Sequence, residues 1–104
     1  MNAWIDVAAA DDWPSGTCKV ADHHGLPIAV FNLQGRFYAT DNICTHEYAE
    51  LCGGAIEGEE IVCPWHGARF SIPTGKVNSA PAYEDLKTYP VRVEGGMVQV
   101  DAEG

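Results

Sequence analysis

Hydrophobic and polar positions alternate along this chain in short runs that turn residues interrupt, a pattern typical of β-strands. Strands are predicted over residues 4–8, 17–21, 27–32 and 36–40. Residues 11–16 predict a turn or a short helical bend, and polar turns are expected at 22–25 and at Gln34-Gly35. Because no segment keeps a helical period over three turns, the pattern favours antiparallel sheet.

The pattern changes between residues 41 and 83, which are rich in Gly, Pro, Cys and His and have brief apolar runs only at 61–62 and 69–72. Such a stretch buries little apolar surface, so we expect a bound metal centre to hold it together. Further on, 86–93 and 97–100 flank Glu94-Gly95-Gly96 and predict a hairpin. The sequence therefore predicts one all-β domain over 1–104, an antiparallel sandwich or barrel with a small loop-rich subdomain at about 42–83.

Composition and charge narrow the class of partner. The 104 residues are 46% hydrophobic, as in an ordinary globular domain, and the formal net charge is −9. Phosphate repels such a chain, so nucleic acid is excluded as a partner, whereas basic patches on other proteins attract it. The sequence has no apolar run near the ~20 residues that a membrane span needs, and its start does not resemble a signal peptide. We expect a cytoplasmic protein with no membrane contact.

The four cysteines are Cys18, Cys44, Cys52 and Cys63. In a reducing compartment we do not expect a structural disulfide. They are then core thiols, reactive thiols or metal ligands, and composition alone does not choose between these. Cys18 lies on a predicted strand, where we expect a core thiol.

Candidate chemistry lies in Cys44-Thr45-His46 and in Cys63-Pro64-Trp65-His66, each of which offers one thiolate and one imidazole. Gly53-Gly54 follows the first motif and Gly67 the second, and we expect these glycines to supply backbone freedom where a Cβ would crowd the site. Two Cys and two His suit tetrahedral zinc, but zinc fingers usually pair Cys with Cys and His with His. The alternating order favours a binuclear iron cluster, with both cysteines on one iron and both histidines on the other.

The order Cys-x-His followed by Cys-x-x-His-Gly resembles the signature of the Rieske family, and the fit extends over about 37–100. The surrounding residues that share it are 49–51, Gly53, 56–58, Ile61, Phe70, 74–76, Pro81, Leu86 and 89–91. Among Rieske proteins, the chain resembles the small Rieske-type ferredoxins of bacterial aromatic-ring-hydroxylating dioxygenase systems.

The resemblance implies a Rieske (ISP-like) fold and one [2Fe–2S] cluster, with Cys44 and Cys63 on one iron and His46 and His66 on the other. It implies a one-electron carrier of aromatic hydrocarbon catabolism, not an enzyme. Such a carrier takes electrons from an NADH-dependent flavoprotein ferredoxin reductase and passes them to a terminal Rieske oxygenase.

The resemblance also places the reduction potential at the low end of the family range. Respiratory Rieske proteins join their cluster loops by a disulfide, and Ala49 and Trp65 stand at those positions here. Ala68 and Phe70 stand where those proteins have hydroxyl groups that donate to sulfur. Losing such donors lowers the potential, so we expect a midpoint near or below about −100 mV.

The sequence leaves too few metal ligands for a terminal oxygenase. A terminal oxygenase needs a second iron held by two His and a carboxylate, and only His23 and His24 remain for it. The alternative that stays open is a small Rieske-like subunit of nitrite reductase, and a zinc-stabilised interaction module is a further one.

Four further features lie outside the predicted ligand set. Cys52 matches no ligand of the family and is expected to be a packed or partly exposed thiol, and His23-His24 to be solvated turn residues. Pro81 is expected in a third loop that covers the cluster. The acidic run Glu57, Glu59 and Glu60 predicts either a solvated face or a docking patch for a basic reductase.

Overall fold

A computed structural model describes residues 3–44, 50–64, 67–79 and 84–103. Within them the chain forms strands and one short 3-10 helix, Ala10–Asp12. The strands are β1 Trp4–Ala9, β2 Thr17–His23, β3 Leu26–Leu33, β4 Arg36–Asp41, β5 Ile56–Glu57, β6 Glu60–Val62, β7 Arg69–Ser71, β8 Val77–Ser79, β9 Thr88–Tyr89, β10 Val91–Glu94 and β11 Met97–Asp101. No helix in this described part has the length and apolar character to span a membrane.

The strands form three antiparallel sheets. The first has the order β1-β11-β10 and the second β2-β3-β4-β9, and we call this pair the base sandwich. The third, β5-β6-β7-β8, is named the insert sheet. Both faces of the second sheet are covered, because alternate residues of β3 enter two different cores. Ile28 and Val30 pack towards the first sheet, whereas Ala29 and Phe31 pack towards the insert sheet.

The strands predicted from alternation in the first forty residues are confirmed, each extended by one or more residues. The first hairpin turn is tighter than its sequence suggests, and the second is as predicted. β2 continues through His23, so the turn consists of His24 and Gly25, with φ of 52° and 86°. At the next turn, Gln34 and Gly35 have φ of 55° and 87°, as expected of the two central residues of a tight hairpin.

The single strand predicted over 86–93 is wrong. Pro90 divides it, since proline has no N–H to donate to a strand ladder. β9 before it pairs with β4 in the second sheet, and β10 after it pairs with β11 in the first. The chain therefore crosses between the two sheets of the base sandwich at Pro90. The hairpin that follows turns at Gly95 and Gly96, as predicted.

The expectation that no structural disulfide forms is also wrong, because Cys18 and Cys52 are joined, with Cα atoms 5.5 Å apart. Cys18 was expected to be a core thiol and Cys52 a packed or partly exposed one. In the β2–β3 register Cys18 lies opposite Phe31, which faces the insert side. The fold thus brings two cysteines 34 positions apart into contact.

Candidate metal centre

The two cysteines of the predicted ligand set lie in the same apolar core. Cys44 is 3% exposed and Cys63 1% exposed, and both pack with Phe31 from the base sandwich and Phe70 from the insert sheet. Neither belongs to the disulfide. The predicted imidazole ligands, His46 and His66, lie outside the described residues, together with Ala49, Trp65 and Pro81.

The loop that begins at Cys44 is closed by Asn42, whose side chain is fully buried. The Asn42 carbonyl accepts a hydrogen bond from Leu51 N–H at 2.6 Å, and its Oδ1 accepts one from Cys52 N–H at 2.8 Å. Its own N–H donates to Pro27 O at 3.1 Å. One residue thus ties the entrance of the loop to its exit and both to β3. Sequence reasoning did not identify Asn42, although a polar residue between a strand and the first cysteine was a visible signal.

The second loop folds back on itself immediately after Cys63. Cys63 N–H donates to Ala68 O at 2.8 Å, and Gly67 N–H donates to Cys63 O at 3.1 Å. Gly67 has a φ of 74°, and no atom of the residues that the structure describes lies within 4 Å of the position that a Cβ would take. The backbone freedom predicted for Gly67 is confirmed, because its positive φ favours glycine, and the crowding predicted there stays a prediction.

Crowding does account for Gly54, as predicted. A Cβ on Gly54 would collide with Val62 O and would lie 3.1 Å from Leu51 O. Val62 immediately precedes Cys63. The missing side chain therefore allows the segment that leaves the first loop to lie directly against the strand that leads into the second.

Ala68 and Phe70 are fully buried beside these cysteines. Neither side chain carries a hydrogen-bond donor. The two residues on which the predicted low potential rests therefore lie in the core that holds Cys44 and Cys63.

Charged side chains brace the outer face of the insert sheet. Arg69 Nη1 lies 2.8 Å from Glu57 Oε1 and 3.3 Å from Glu60 Oε1, and Asn78 Nδ2 donates to Glu60 Oε2 at 2.8 Å. The hydrogen bond and charge of Glu57, followed by Glu60, raise the pKa of Arg69. Two of the three carboxylates in the predicted docking run are thus paired with a cation, and Glu59 is exposed.

Of the other two histidines, the exposed His24 lies in the turn between β2 and β3, as predicted, whereas His23 is the last residue of β2 and is only partly exposed. The rings of His23 and His24 meet edge to face, with centroids 4.3 Å apart. Among the residues that the structure describes, no group of three His, Cys, Asp or Glu side chains could hold a metal ion.

Comparison with known proteins identifies the family. The sequence model of the family described as Rieske [2Fe-2S] domain matches residues 3–90, so the chain belongs to the Rieske family. It is 44% identical over 100 residues to the ferredoxin component of naphthalene 1,2-dioxygenase/salicylate 5-hydroxylase systems of a Ralstonia species, with 96% of each chain covered. It is 42% identical over 98 residues to the naphthalene 1,2-dioxygenase ferredoxin component of Pseudomonas aeruginosa, with 94% of each covered.

Solved structures confirm the predicted all-β fold. A chain in the complex of reduced oxygenase and oxidised ferredoxin of carbazole 1,9a-dioxygenase superposes with a TM-score of 0.92 at 37% identity, over 97% of this chain and 94% of that one. A nitrite reductase small subunit from Mycobacterium tuberculosis superposes with a TM-score of 0.85 but is 23% identical, over 96% of this chain and 95% of that one. The second likeness shows a shared fold alone.

Proposed function

We propose that this chain carries single electrons from an NADH-dependent flavoprotein ferredoxin reductase to a terminal Rieske oxygenase that hydroxylates aromatic rings. The chain is a ferredoxin, as its relatives are named, and not itself an enzyme. The observation that carries the proposal is the placement of Cys44 and Cys63 in one buried core while the other two cysteines form a disulfide. Because the proposed reductase uses NADH, we also propose that the chain is located in the cytoplasm.

The donor set fits one [2Fe–2S] cluster. A Rieske cluster takes two thiolates and two imidazoles, and the two buried cysteines outside the disulfide supply the thiolates. We assign Cys44 and Cys63 to one iron and His46 and His66 to the other. The bound cluster would accept and release one electron at a time.

We further propose residues 42–83 as the cluster-binding subdomain. Its support is structural: the insert sheet lies within this range, and Asn42 closes its first loop by hydrogen bonds to Leu51 and Cys52. The apolar residues around Cys44 and Cys63 exclude water from the thiolate side of the site. Such an apolar shell controls solvent access and the local dielectric, and through them the reduction potential.

The other functions have less support. The likeness to the nitrite reductase small subunit extends to the fold only, so no observation favours that alternative. A zinc-stabilised module would use the same four ligands, and it is separated from the carrier by colour, since a zinc protein is colourless.

The first experiment tests the cofactor. Protein purified without oxygen should be red-brown, contain equal amounts of iron and labile sulfide, and bleach with dithionite. Its reduced form should give an electron paramagnetic signal with an average g of about 1.9. His46→Ala and His66→Ala should lose the signal, because one iron lacks a ligand. The matched controls His23→Ala and His24→Ala change the histidines at the end of β2 and in the turn that follows, and both should keep it. A colourless wild type that binds zinc would refute the proposal.

The second experiment tests the electron path. The wild type should couple NADH oxidation by a flavoprotein reductase to product formation by a purified ring-hydroxylating oxygenase. His66→Ala should not, and His24→Ala should. If the oxygenase turned over equally well without this chain, the carrier role would be excluded.

A third experiment tests the proposed low potential. The wild-type midpoint is expected near or below about −100 mV, within the family range of roughly −150 to +300 mV. Phe70→Tyr combined with Ala68→Ser adds hydroxyl donors in the core beside Cys63 and should raise it. An unchanged midpoint in the double variant would show that these positions do not set the potential.

A further inference from the structure

The disulfide between Cys18 and Cys52 connects the base sandwich to the segment that leaves the Cys44 loop. Cys18 lies on β2, an edge strand of its sheet, and Cys52 follows the buried Leu51. Cys52 N–H also donates to Asn42 Oδ1 at 2.8 Å. The covalent link therefore continues through one hydrogen bond to the entrance of the loop that begins at Cys44.

The disulfide packs at the edge of the core around Cys44 and Cys63 and is partly exposed, in contrast to those two buried cysteines. Both of its residues are partly exposed, and both have exposed neighbours. Thr17, Lys19 and Val20 are exposed around Cys18, with Val20 46% exposed, and Gly53 is exposed after Cys52. Access to sulfur is a condition for thiol–disulfide exchange.

We propose that Cys18–Cys52 is a reversible two-electron redox site, opened by a dithiol protein of the thioredoxin class, which sets how firmly the Cys44 loop is held against the base sandwich. Disulfides in the cytoplasm are usually transient or redox-sensing, so the inference rests on the proposed function for its compartment. It adds to the one-electron carrier a second centre that exchanges electrons in pairs.

The chemistry is balanced by the reductant. A thiolate of the dithiol attacks one sulfur of the pair, forming a mixed disulfide and releasing the other sulfur as a thiolate that takes up a proton. The second thiol of the reductant then attacks the mixed disulfide. The products are two protein thiols, Cys18 and Cys52, and the oxidised reductant, so two electrons and two protons have moved to this chain.

The structural consequence follows from what remains after opening. The loop exit then keeps its hydrogen bonds to Asn42 and the packing of Leu51, but it loses its covalent connection to β2. Local opening of residues 50–64 should therefore cost less free energy, while β10 and β11, which lie in the other sheet of the base sandwich, should be unaffected.

The test uses the cluster-loaded protein without oxygen, before and after treatment with thioredoxin, thioredoxin reductase and NADPH. Iodoacetamide followed by peptide mapping should label neither Cys18 nor Cys52 before treatment and both after it. Hydrogen exchange over 50–64 should then become at least about tenfold faster, with no change in 91–101. Glutathione disulfide should restore both properties.

The double variant Cys18→Ser with Cys52→Ser is the matched control. It should show the fast exchange permanently and should not respond to thioredoxin. Labelling of either cysteine before treatment, resistance of the folded protein to thioredoxin, or unchanged exchange after opening would each overturn the proposal. If the double variant fails to fold, the treated wild type still decides. Absence of iron would count against the proposed function alone, since labelling and exchange do not require it.

Discussion

The base sandwich and the insert sheet are stabilised in different ways. The strands of the second base sheet run to eight residues in β3, and its core draws Ile28, Val30, Val98 and Val100 from two facing sheets. The strands of the insert sheet have two or three residues. Short strands form few ladder hydrogen bonds, so regular backbone pairing contributes less to this region, although Phe70 and Ile72 are fully buried there.

The insert region instead depends on single groups. Gly54 allows two backbones to touch, Asn42 closes a loop, Arg69 joins three strands through two carboxylates, and Cys52 links the region to β2. The comparison teaches that long strand ladders hold the base sandwich together, whereas single groups fix the position of the segments around Cys44 and Cys63. Substitutions should accordingly separate cluster retention from folding.

Gly54→Ala should have the largest effect. Its Cβ meets the backbone oxygen of Val62, which cannot rotate away, so the segments that lead from Cys44 and into Cys63 must separate. We expect complete loss of the cluster with the far-ultraviolet circular dichroism of the sandwich retained, measured by iron content and spectrum. Gly53→Ala is the control: its φ of 106° makes alanine strained, but no atom of the described part of the chain lies within 4 Å of the Cβ position. Equal loss in both variants would exclude crowding as the cause.

Ile28→Ala and Ile61→Ala compare the two cores directly, because both isoleucines are fully buried. Each should lower the free energy of unfolding by about 2–5 kcal/mol, measured by urea titration. Only Ile61→Ala should also accelerate cluster release to a chelator under native conditions. If the two variants released iron at the same rate, the regions would open as one unit.

Tyr89→Phe tests a polar contact inside the base sandwich. The hydroxyl of the buried Tyr89 donates to Asp41 Oδ1, and burial first, then this hydrogen bond and the charge of Asp41, raise the pKa of Tyr89 above its ordinary 10.0. Since the folded state holds the proton more tightly, the contribution is complete below pH 10 and is lost as pH rises towards the folded pKa.

The variant should lose about 1.5–3 kcal/mol at pH 7, as expected for a hydrogen bond to a charged group. The difference from wild type should shrink above about pH 10, and cluster release at pH 7 should stay the same. Urea titrations of both proteins, from pH 7 to above about pH 10, measure this difference in the free energy of unfolding. A difference that is constant or grows with pH would contradict the assigned contact.

Arg69→Met should have the smallest effect, since the ion pairs of a half-exposed guanidinium are screened by water. Cluster release should accelerate only a few-fold at low salt and less at high salt. Arg92→Met is the control, because Arg92 bonds to Gln99 in the base sandwich at 2.8 Å. It should leave the release rate unchanged at either ionic strength. An Arg69 effect independent of salt would point to packing and not to charge.

The sequence was sufficient for features whose signal is local. The first strands follow from alternation, and the cysteines of the candidate site from their spacing to histidine. The short strands β5 and β8 escaped because two or three residues show no period. The role of Asn42 and the Cys18–Cys52 pair were not predicted. Their contacts depend on how the insert sheet packs on β3, and no local sequence pattern indicates that packing.

The two-sided burial of β3 has a practical consequence for attaching this protein to a surface. Residues 28–31 have no exposed side chain, so a dye or tether placed there would disturb one core or the other. Val93 on β10 is 49% exposed and belongs to the sheet that does not face the insert. A tether at Val93 would fix the molecule to an electrode by its sandwich and leave the Cys44–Cys63 side towards solution.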